Sequence, residues 1–442
     1  MQTQSSLSQP DISDRPCRRS RFLPYTICIL AALFYLYEFI LQVSPSVMRQ
    51  ELMRDLHLNA AGFGMVSAAF YVSYMLMQLP AGLLYDRYGP RLLLAIAIFV
   101  CAGGTFFFGY AHSAETAAFG RFLIGMGSAF SFIGALVLVS RWFPPHYFAV
   151  LAGLVQFMSS IGAITGEVLL AKVISRFGWR ESLISLAVIG VILAIAVWLF
   201  VRDRPESNSE NENNLAKEEP VHIPLRQSLK ELFYNQQTWR IALYAFMCWA
   251  PIAAFAALWG VSYLSTLYGI SVTKAAGAIS IIWLGIGIGS PLIGWWSDYI
   301  GRRRLPLTVV ALMGFVSLGF ILYIPGIPFE LMCFFLFCFG LAASGQSLTF
   351  AVIADVNRPE VVGTGMGFNN MAVVAGGMIF QPLIGLFMQW GWDGHSVGGI
   401  NLYTVENYRM SMLLLPLCYL VACIVSIKWI RETHCRPQHS IS

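Results

Sequence analysis

Three ionisable side chains lie inside long apolar stretches of this 442-residue chain: Glu38 in FYLYEFILQVSP, Arg121 in RFLIGMG and Glu167 in SSIGAITGEVLL. At the centre of a bilayer such a group costs about 2.5–3.5 kcal/mol on insertion scales, so each is a candidate for holding charge or carrying a proton. Tyr35, Glu38 and Gln42 fall at i, i+3 and i+7 and form one polar stripe on a helix. A carboxylate there could bind a cationic group, carry a proton, or make a fixed interhelical hydrogen bond. Gly125 lies one turn from Arg121 and admits a close helix approach, while the Arg itself could also snorkel to an interface. Gln156, Ser160 and Glu167 share a face. Arg121 and Glu167 both belong in the outer halves of oppositely running helices, so an ion pair between them is expected to offset part of the burial cost. The later part of the chain offers neutral polarity instead. Gln346, Asn369, Asn370 and Gln381 can donate and accept hydrogen bonds, with Trp249, Trp259 and Trp283 as aromatic surface. Those amides also serve to hold helices together. Tyr71, Tyr74 and Gln78 line one further helical face.

The elements that must position these groups are apolar runs of bilayer length. Only 12% of residues are charged, 14% are aromatic and the mean hydropathy is +0.66, which excludes a soluble enzyme of this length. Twelve spans are expected near 23–44, 61–84, 91–111, 115–140, 147–171, 180–201, 240–263, 273–297, 304–324, 328–353, 361–388 and 409–430. Twelve spans place both termini on one side. With that side cytoplasmic, roughly 20 of the 28 Lys and Arg fall inside, as the positive-inside rule requires. Lys172, Arg176 and Arg180 are the exception, clustered on one external turn. The net charge of +5 sits at helix ends and points to no nucleic acid. The nine cysteines are scattered without a CxxC, and the seven His form no pair at ligand spacing, so neither metal nor cofactor is expected. The glycine-rich runs Gly285 to Gly294 and Gly363 to Gly367 lie inside spans and fit helix packing. No Walker lysine motif is present.

One charged turn recurs. GLLYDRYGPR at 82–91 returns as GWWSDYIGRRR at 294–304, with Gly82 and Gly294, Asp86 and Asp298, Gly89 and Gly301 all 212 apart (294 − 82, 298 − 86, 301 − 89). Gly153 and Gly367, and Gly162 and Gly376, repeat at 214 (367 − 153, 376 − 162). Repeats at nearly one offset predict two homologous halves. The pattern G-x-x-x-D-R-x-G-x-R resembles the loop between the second and third helices of the major facilitator superfamily, and R-x-x-x-G-x-G at Arg121 resembles that family's fourth-helix motif. The resemblance implies an all-α polytopic membrane protein with twelve helices in two six-helix bundles around a central cavity. It implies that Gly82, Asp86, Arg87, Gly89 and Arg91, with Gly294, Asp298, Gly301 and Arg303, cap helix ends and latch the halves together. For Arg121 it implies proton coupling or recognition of substrate charge.

The organisation expected is a cytoplasmic tail at 1–22, a six-helix bundle at 23–201, a central cytoplasmic loop at 202–238, a second bundle at 239–431 and a tail at 432–442. Within the loop, Leu225, Leu229 and Phe233 recur at i, i+4 and i+8, predicting an amphipathic helix on the membrane surface. The family resemblance further implies a non-enzymatic secondary transporter that moves a small organic solute by alternating access. Proton-coupled symport in a bacterial inner membrane is expected, with protons, solute and lipid as partners and a monomer as the working unit. A pairing of Glu38 with Arg121 would suit a solute carrying both charges, such as an amino acid. The alternatives are proton-coupled efflux and a transport-dead sensor. Drug antiporters of the superfamily carry a Gly-Pro-rich fifth helix, and the fifth span here has Gly153, Gly162 and Gly166 but no Pro.

Overall fold

The computed structural model describes residues 23–144, 147–203, 225–397 and 400–436. Within them are twelve helices long and apolar enough to cross a membrane. In chain order these are α1 (Leu23–Val47), α2 (Ala60–Gly82), α3 (Pro90–Gly109), α4 (Ala114–Trp142), α5 (Val150–Phe177), α6 (Trp179–Phe200), α7 (Gln236–Tyr268), α8 (Val272–Ile300), α9 (Arg304–Tyr323), α10 (Phe329–Val356), α11 (Val361–Trp390) and α12 (Val405–Lys428). A short helix, Arg49–Asp55, follows α1, and another, Leu225–Tyr234, precedes α7 where amphipathic periodicity predicts one. Phe233 of that helix packs on Trp239 and Phe368, but the Leu225 and Leu229 side chains lie outside the described residues. Between α11 and α12, β1 (Ser396–Val397) pairs antiparallel with β2 (Ile400–Asn401), Ser396 opposite Asn401.

Local chemistry sets the helix ends. Asn59 caps the start of α2 through Gly62 N–H at 2.8 Å, and Ser113 and Ser271 cap α4 and α8. Thr404 and Asn407 form a capping box at α12. α8 ends at Gly301 in the left-handed region (φ 63°). Proline inside α1, α2, α7, α8 and α11 removes one helical N–H each, so a carbonyl one turn earlier is left to find another donor. Two wide-turn segments interrupt the ladder, Thr165–Leu169 in α5 and Ile252–Trp259 in α7.

The two halves repeat their packing. A Cβ on Gly162 would lie 2.3 Å from the Leu36 carbonyl oxygen, so α5 rides directly on α1. A Cβ on Gly376 would lie 2.7 Å from Ala250 Cα, and α11 rides on α7 in the same way. Gly162 and Gly376, and Leu36 and Ala250, are both separated by 214 (376 − 162, 250 − 36). The glycine echo read from the sequence is therefore an interface repeated in space.

Each copy of the charged turn, on what is here called the motif side, is fastened within its own half. Arg91 donates to the Trp198 carbonyl at 2.9 Å and stacks over the Trp198 ring, while its amide binds Asp203. Gly89 has φ 75°, and Asp203 occupies the space a Cβ would need. Arg303 binds Asp355 at 3.0 Å and Asp298 at 2.8 Å. Glu432 accepts from the Arg303 and Arg304 amides at the start of α9. Burial works against the Glu432 carboxylate, but these backbone donors hold it below the usual carboxylate range. The Asp86 side chain lies outside the described residues, and Arg87 is exposed beside Tyr88. The contacts described for Arg91 and Arg303 do not cross between halves, whereas the resemblance implies a latch that does.

On the opposite side the basic turn finds its partner. Asp55 receives Arg180 at 2.6 Å, Trp179 Nε1 at 2.9 Å and Arg54 at 2.9 Å. Burial pushes the Asp55 carboxyl up, yet these three donors prevail and bring it down to about 2. Lys172 and Arg176 remain exposed.

Candidate functional site

Between the halves lies a cavity of about 50 Å³, room for a few waters in this conformation. The first half contributes Tyr35, Glu38, Phe39, Gln42, Phe70, Tyr71, Tyr74, Phe132 and Gln156, and the second Trp249, Gln346, Phe350, Asn370, Val373 and Val374. Seven of the residues singled out by type and spacing meet here: Tyr35, Glu38, Gln42, Gln156, Trp249, Gln346 and Asn370. Tyr71 and Tyr74 join them from the polar face of α2. The aromatic and valine walls carry no such signal, because Phe39, Phe70, Phe132, Phe350, Val373 and Val374 are indistinguishable from lipid-facing residues in sequence.

Glu38 is only 1% exposed, and its Oε2 has no hydrogen-bond partner. Around it runs a loose polar network. Tyr35 donates to Gln156 Oε1 at 3.4 Å, and Gln42 donates to the Tyr71 hydroxyl at 3.0 Å. Asn370 donates across the halves to Gln78 at 2.9 Å, on the motif side of the cavity, and Gln78 Nε2 is left unpartnered. Phe39 meets Trp283 edge-to-face, and Trp283 meets Trp249 in turn. Such a cavity presents amide donors and acceptors, aromatic faces and a single acidic group. Among the described residues no Lys or Arg lines it.

Four candidates, Arg121, Glu167, Asn369 and Gln381, sit elsewhere. Arg121 is buried but does not reach the cavity. Its guanidinium donates to the Leu41 carbonyl at 2.8 Å, with longer contacts to the Ser67 and Gln42 carbonyls at 3.4 and 3.5 Å. The reason is local: Pro45 has no N–H to give Leu41, so that carbonyl accepts from Arg121 alongside the Ser44 hydroxyl at 2.9 Å. The rings of Phe70 and Phe108 lie 4.8 and 5.8 Å from its charge. A Cβ on Gly125 would lie 2.0 Å from the Phe70 carbonyl oxygen, so the glycine does admit the α2 backbone. Neither snorkelling nor the expected pair with Glu167 is formed. Glu167 is fully buried on α5 and instead accepts from Ser46 at 3.1 Å, while the Leu41 and Gln42 carbonyls of α1 and the Ser67 carbonyl of α2 hold Arg121.

Asn369 turns away from the cavity to donate to Thr349 at 2.8 Å. Gln381 donates to the Ala253 carbonyl at 2.8 Å, inside the wide-turn segment of α7. Trp259 is likewise buried, donating to the Gln381 carbonyl and packing on Phe63.

The cavity is sealed on the side opposite the motif. A Cβ on Gly64 would lie 2.6 Å from the Gln381 carbonyl oxygen, and one on Gly385 would lie 2.3 Å from that of Ala60. The Ala60 amide donates to the Tyr403 hydroxyl at 3.0 Å. Towards the motif side, Gly82 of α2 and Gly363 of α11 have nothing within 4 Å of their Cβ positions. The described residues hold no cluster of His, Cys, Asp or Glu suited to a metal.

Comparison with known proteins agrees with this architecture. Residues 27–380 and 252–438 match the family model described as Major Facilitator Superfamily. The chain is 26% identical over 353 residues to the hexuronate transporter of Bacillus subtilis (strain 168), covering 76% of this chain and 81% of that protein. It is 24% identical over 436 residues to the probable galactarate/D-glucarate transporter GarP of Escherichia coli (strain K12), covering 90% and 94%. Among solved structures, a bacterial homolog to the human lysosomal transporter Spinster, in an inward-facing and occupied conformation, superposes with a TM-score of 0.74 at 17% identity, over 92% of this chain and 97% of that one. Two six-helix halves with repeated interfaces, a cavity between them and a family match spanning both halves lead to one assignment: the chain belongs to the Major Facilitator Superfamily, a family of membrane transporters.

Proposed function

We propose that this protein is a proton-coupled symporter of a small polar organic solute, working by alternating access, with Glu38 as the coupling carboxylate in the central cavity. The observation that carries this reading is a single acidic group facing the cavity with one oxygen unpartnered. A carboxylate so placed can take a proton from water in the cavity or meet a protonated amine on the solute, and either event changes the charge buried between the halves. The amides of Gln42, Gln156, Gln346 and Asn370 suit a solute with carbonyl or hydroxyl groups, and the tyrosine and tryptophan faces suit its hydrocarbon part. With Arg121 held by α1 carbonyls, the cavity favours a solute whose anionic end is recognised by amide and phenol donors. An amino acid fits that description better than a dianionic sugar acid. Positive charge on the motif side supports a reading in which that side and both termini face the cytoplasm and the multi-pass chain lies in a plasma membrane. The protein works as a monomer in this reading, and Arg121 and the charged turns shape the scaffold that alternates.

The test is solute-induced proton movement in liposomes carrying the purified protein, using pooled metabolites with Glu38→Gln as control. A pH change with one pool, lost in the variant, is the expected result. A solute that moves equally well in both without protons would mean facilitated diffusion and overturn the role of Glu38. Counterflow without net uptake against a proton gradient would favour efflux.

A further inference from the structure

Glu167 is a buried carboxyl group that does not line the central cavity. It sits in the wide-turn segment Thr165–Leu169 of α5, packed between α1 and α8. α8 belongs to the other half, so this contact lies on the interface that must part when the molecule opens on the side opposite the motif. Gly287 of α8 packs on Ser160 and Phe157, two to three turns earlier on α5, and Gly166 packs on Val43 and Ile40 of α1. Glu167 itself is fully buried where α5 meets these two helices. Its Oε1 accepts from Ser46, and among the described residues its Oε2 has no partner and no ion pair is formed with it. Ser46 in turn lines a second, smaller cavity of about 20 Å³ together with Arg49, Glu51, Ser262 and Thr266, between the end of α1 and α7. That cavity lies on the side opposite the motif and has room for a water beside Ser46, the donor to Glu167 among the described residues.

The other ionisable groups on α1 and α8 are engaged elsewhere, while Arg49 and Glu51, beyond α1, share the smaller cavity with Ser46. On α1, Tyr35 and Glu38 line the central cavity and Tyr37 donates to the Leu186 carbonyl. Beyond α1, Arg49 leans on Met53 and the Tyr408 ring, and Glu51 lines the smaller cavity. On α8, Lys274 lies over the Phe329 ring and Asp298 binds Arg303. Lys172 and Arg176, further along α5, are exposed.

We propose that Glu167 is a proton-operated latch: the α5–α8 contact on the side opposite the motif closes over Glu167 as the neutral acid and opens to release it as the hydrated carboxylate. An ionised carboxylate with no cation in a dry interface is costly, and a bound proton removes that cost. Closing then takes up one proton from water on that side, and opening returns it. The ratio of closed to open molecules should rise up to about tenfold for each unit fall in pH. This proposal rests on proton coupling as proposed above but assigns a separate step, gate closure, to a separate residue.

The experiment is a distance measurement between spin labels at Ser175→Cys and Ser271→Cys, both exposed near the ends of α5 and α8. The protein is held in lipid nanodiscs, in a background without native cysteines, from pH 5.5 to 8.5. The closed fraction is expected to fall as pH rises. Glu167→Gln should stay closed at every pH, Glu167→Asp should keep the dependence, and Glu38→Gln should keep it too. Ser46→Ala, which retains the acid and removes its one donor, should shift the midpoint while leaving the fold intact. It provides the readout if Glu167→Gln does not fold. A wild type whose gate ignores pH, or a Glu167→Gln gate that titrates like wild type, would overturn the proposal. Gate titration without solute-driven proton flux would sink symport and leave the latch standing. The reverse would sink the latch alone.

Discussion

The sharpest consequence of the site geometry concerns Arg121 and Pro45. The guanidinium makes one short charge-assisted hydrogen bond, to Leu41 at 2.8 Å, of a kind that contributes about 1.5–3 kcal/mol. Its two longer contacts are weaker, and the Phe70 and Phe108 rings add about 2 kcal/mol at a desolvated site. Replacing it by Met keeps most of the volume and recovers the cost of burying a charge. The net loss for Arg121→Met should be about 2–4 kcal/mol. Pro45→Ala restores an N–H one turn beyond Leu41, which can bond the same carbonyl. In that background the loss from Arg121→Met should shrink by about 1–2 kcal/mol, one hydrogen bond's worth. Denaturant unfolding of the four proteins in mixed micelles reads the cycle. Losses that add to within about 0.5 kcal/mol would refute the claim that the proline makes the arginine's acceptor. So would an Arg121→Met protein of normal stability that fails only in solute binding.

Gly64→Ala should wedge α2 away from the backbone of Gln381 and Pro382 and open the sealed side; reactivity of an engineered cysteine at Ala60 should rise, while Gly82→Ala, with nothing in reach, should leave it unchanged. Asp55→Asn should lower stability at neutral pH. Because the folded carboxyl lies near 2 against an ordinary 3.8, its contribution is full above about pH 4 and is lost as pH falls through 2. Melting curves of the two proteins should therefore converge over that window, and a constant gap would contradict the Arg180 and Trp179 pairing. Asn370→Ala removes the bond to Gln78 that ties the halves beside the cavity. Faster exchange between states, read by single-molecule distance changes, is the expected result, and an unchanged rate would make the bond incidental.

Hydropathy and repeat spacing were enough to give the scaffold. Apolar runs of about 20 residues leave helices as the only structure that satisfies the backbone in lipid, and offsets of 212 and 214 betray two halves. Intramembrane charge singled out Glu38, Arg121 and Glu167 because burial cost is a property of residue type and depth. What those charges touch was decided only by tertiary structure. The expected Arg121–Glu167 pair failed because Pro45 releases a carbonyl nearer to hand, and Ser46, one residue on, takes Glu167. The same holds for the amides: Asn370 faces the cavity and Asn369, its neighbour, faces Thr349, a difference of about 100° around one helix whose rotation is fixed by glycine contacts far along the chain. Periodicity tells which residues share a face. Only packing between helices tells which face looks inward, because in lipid both faces are apolar.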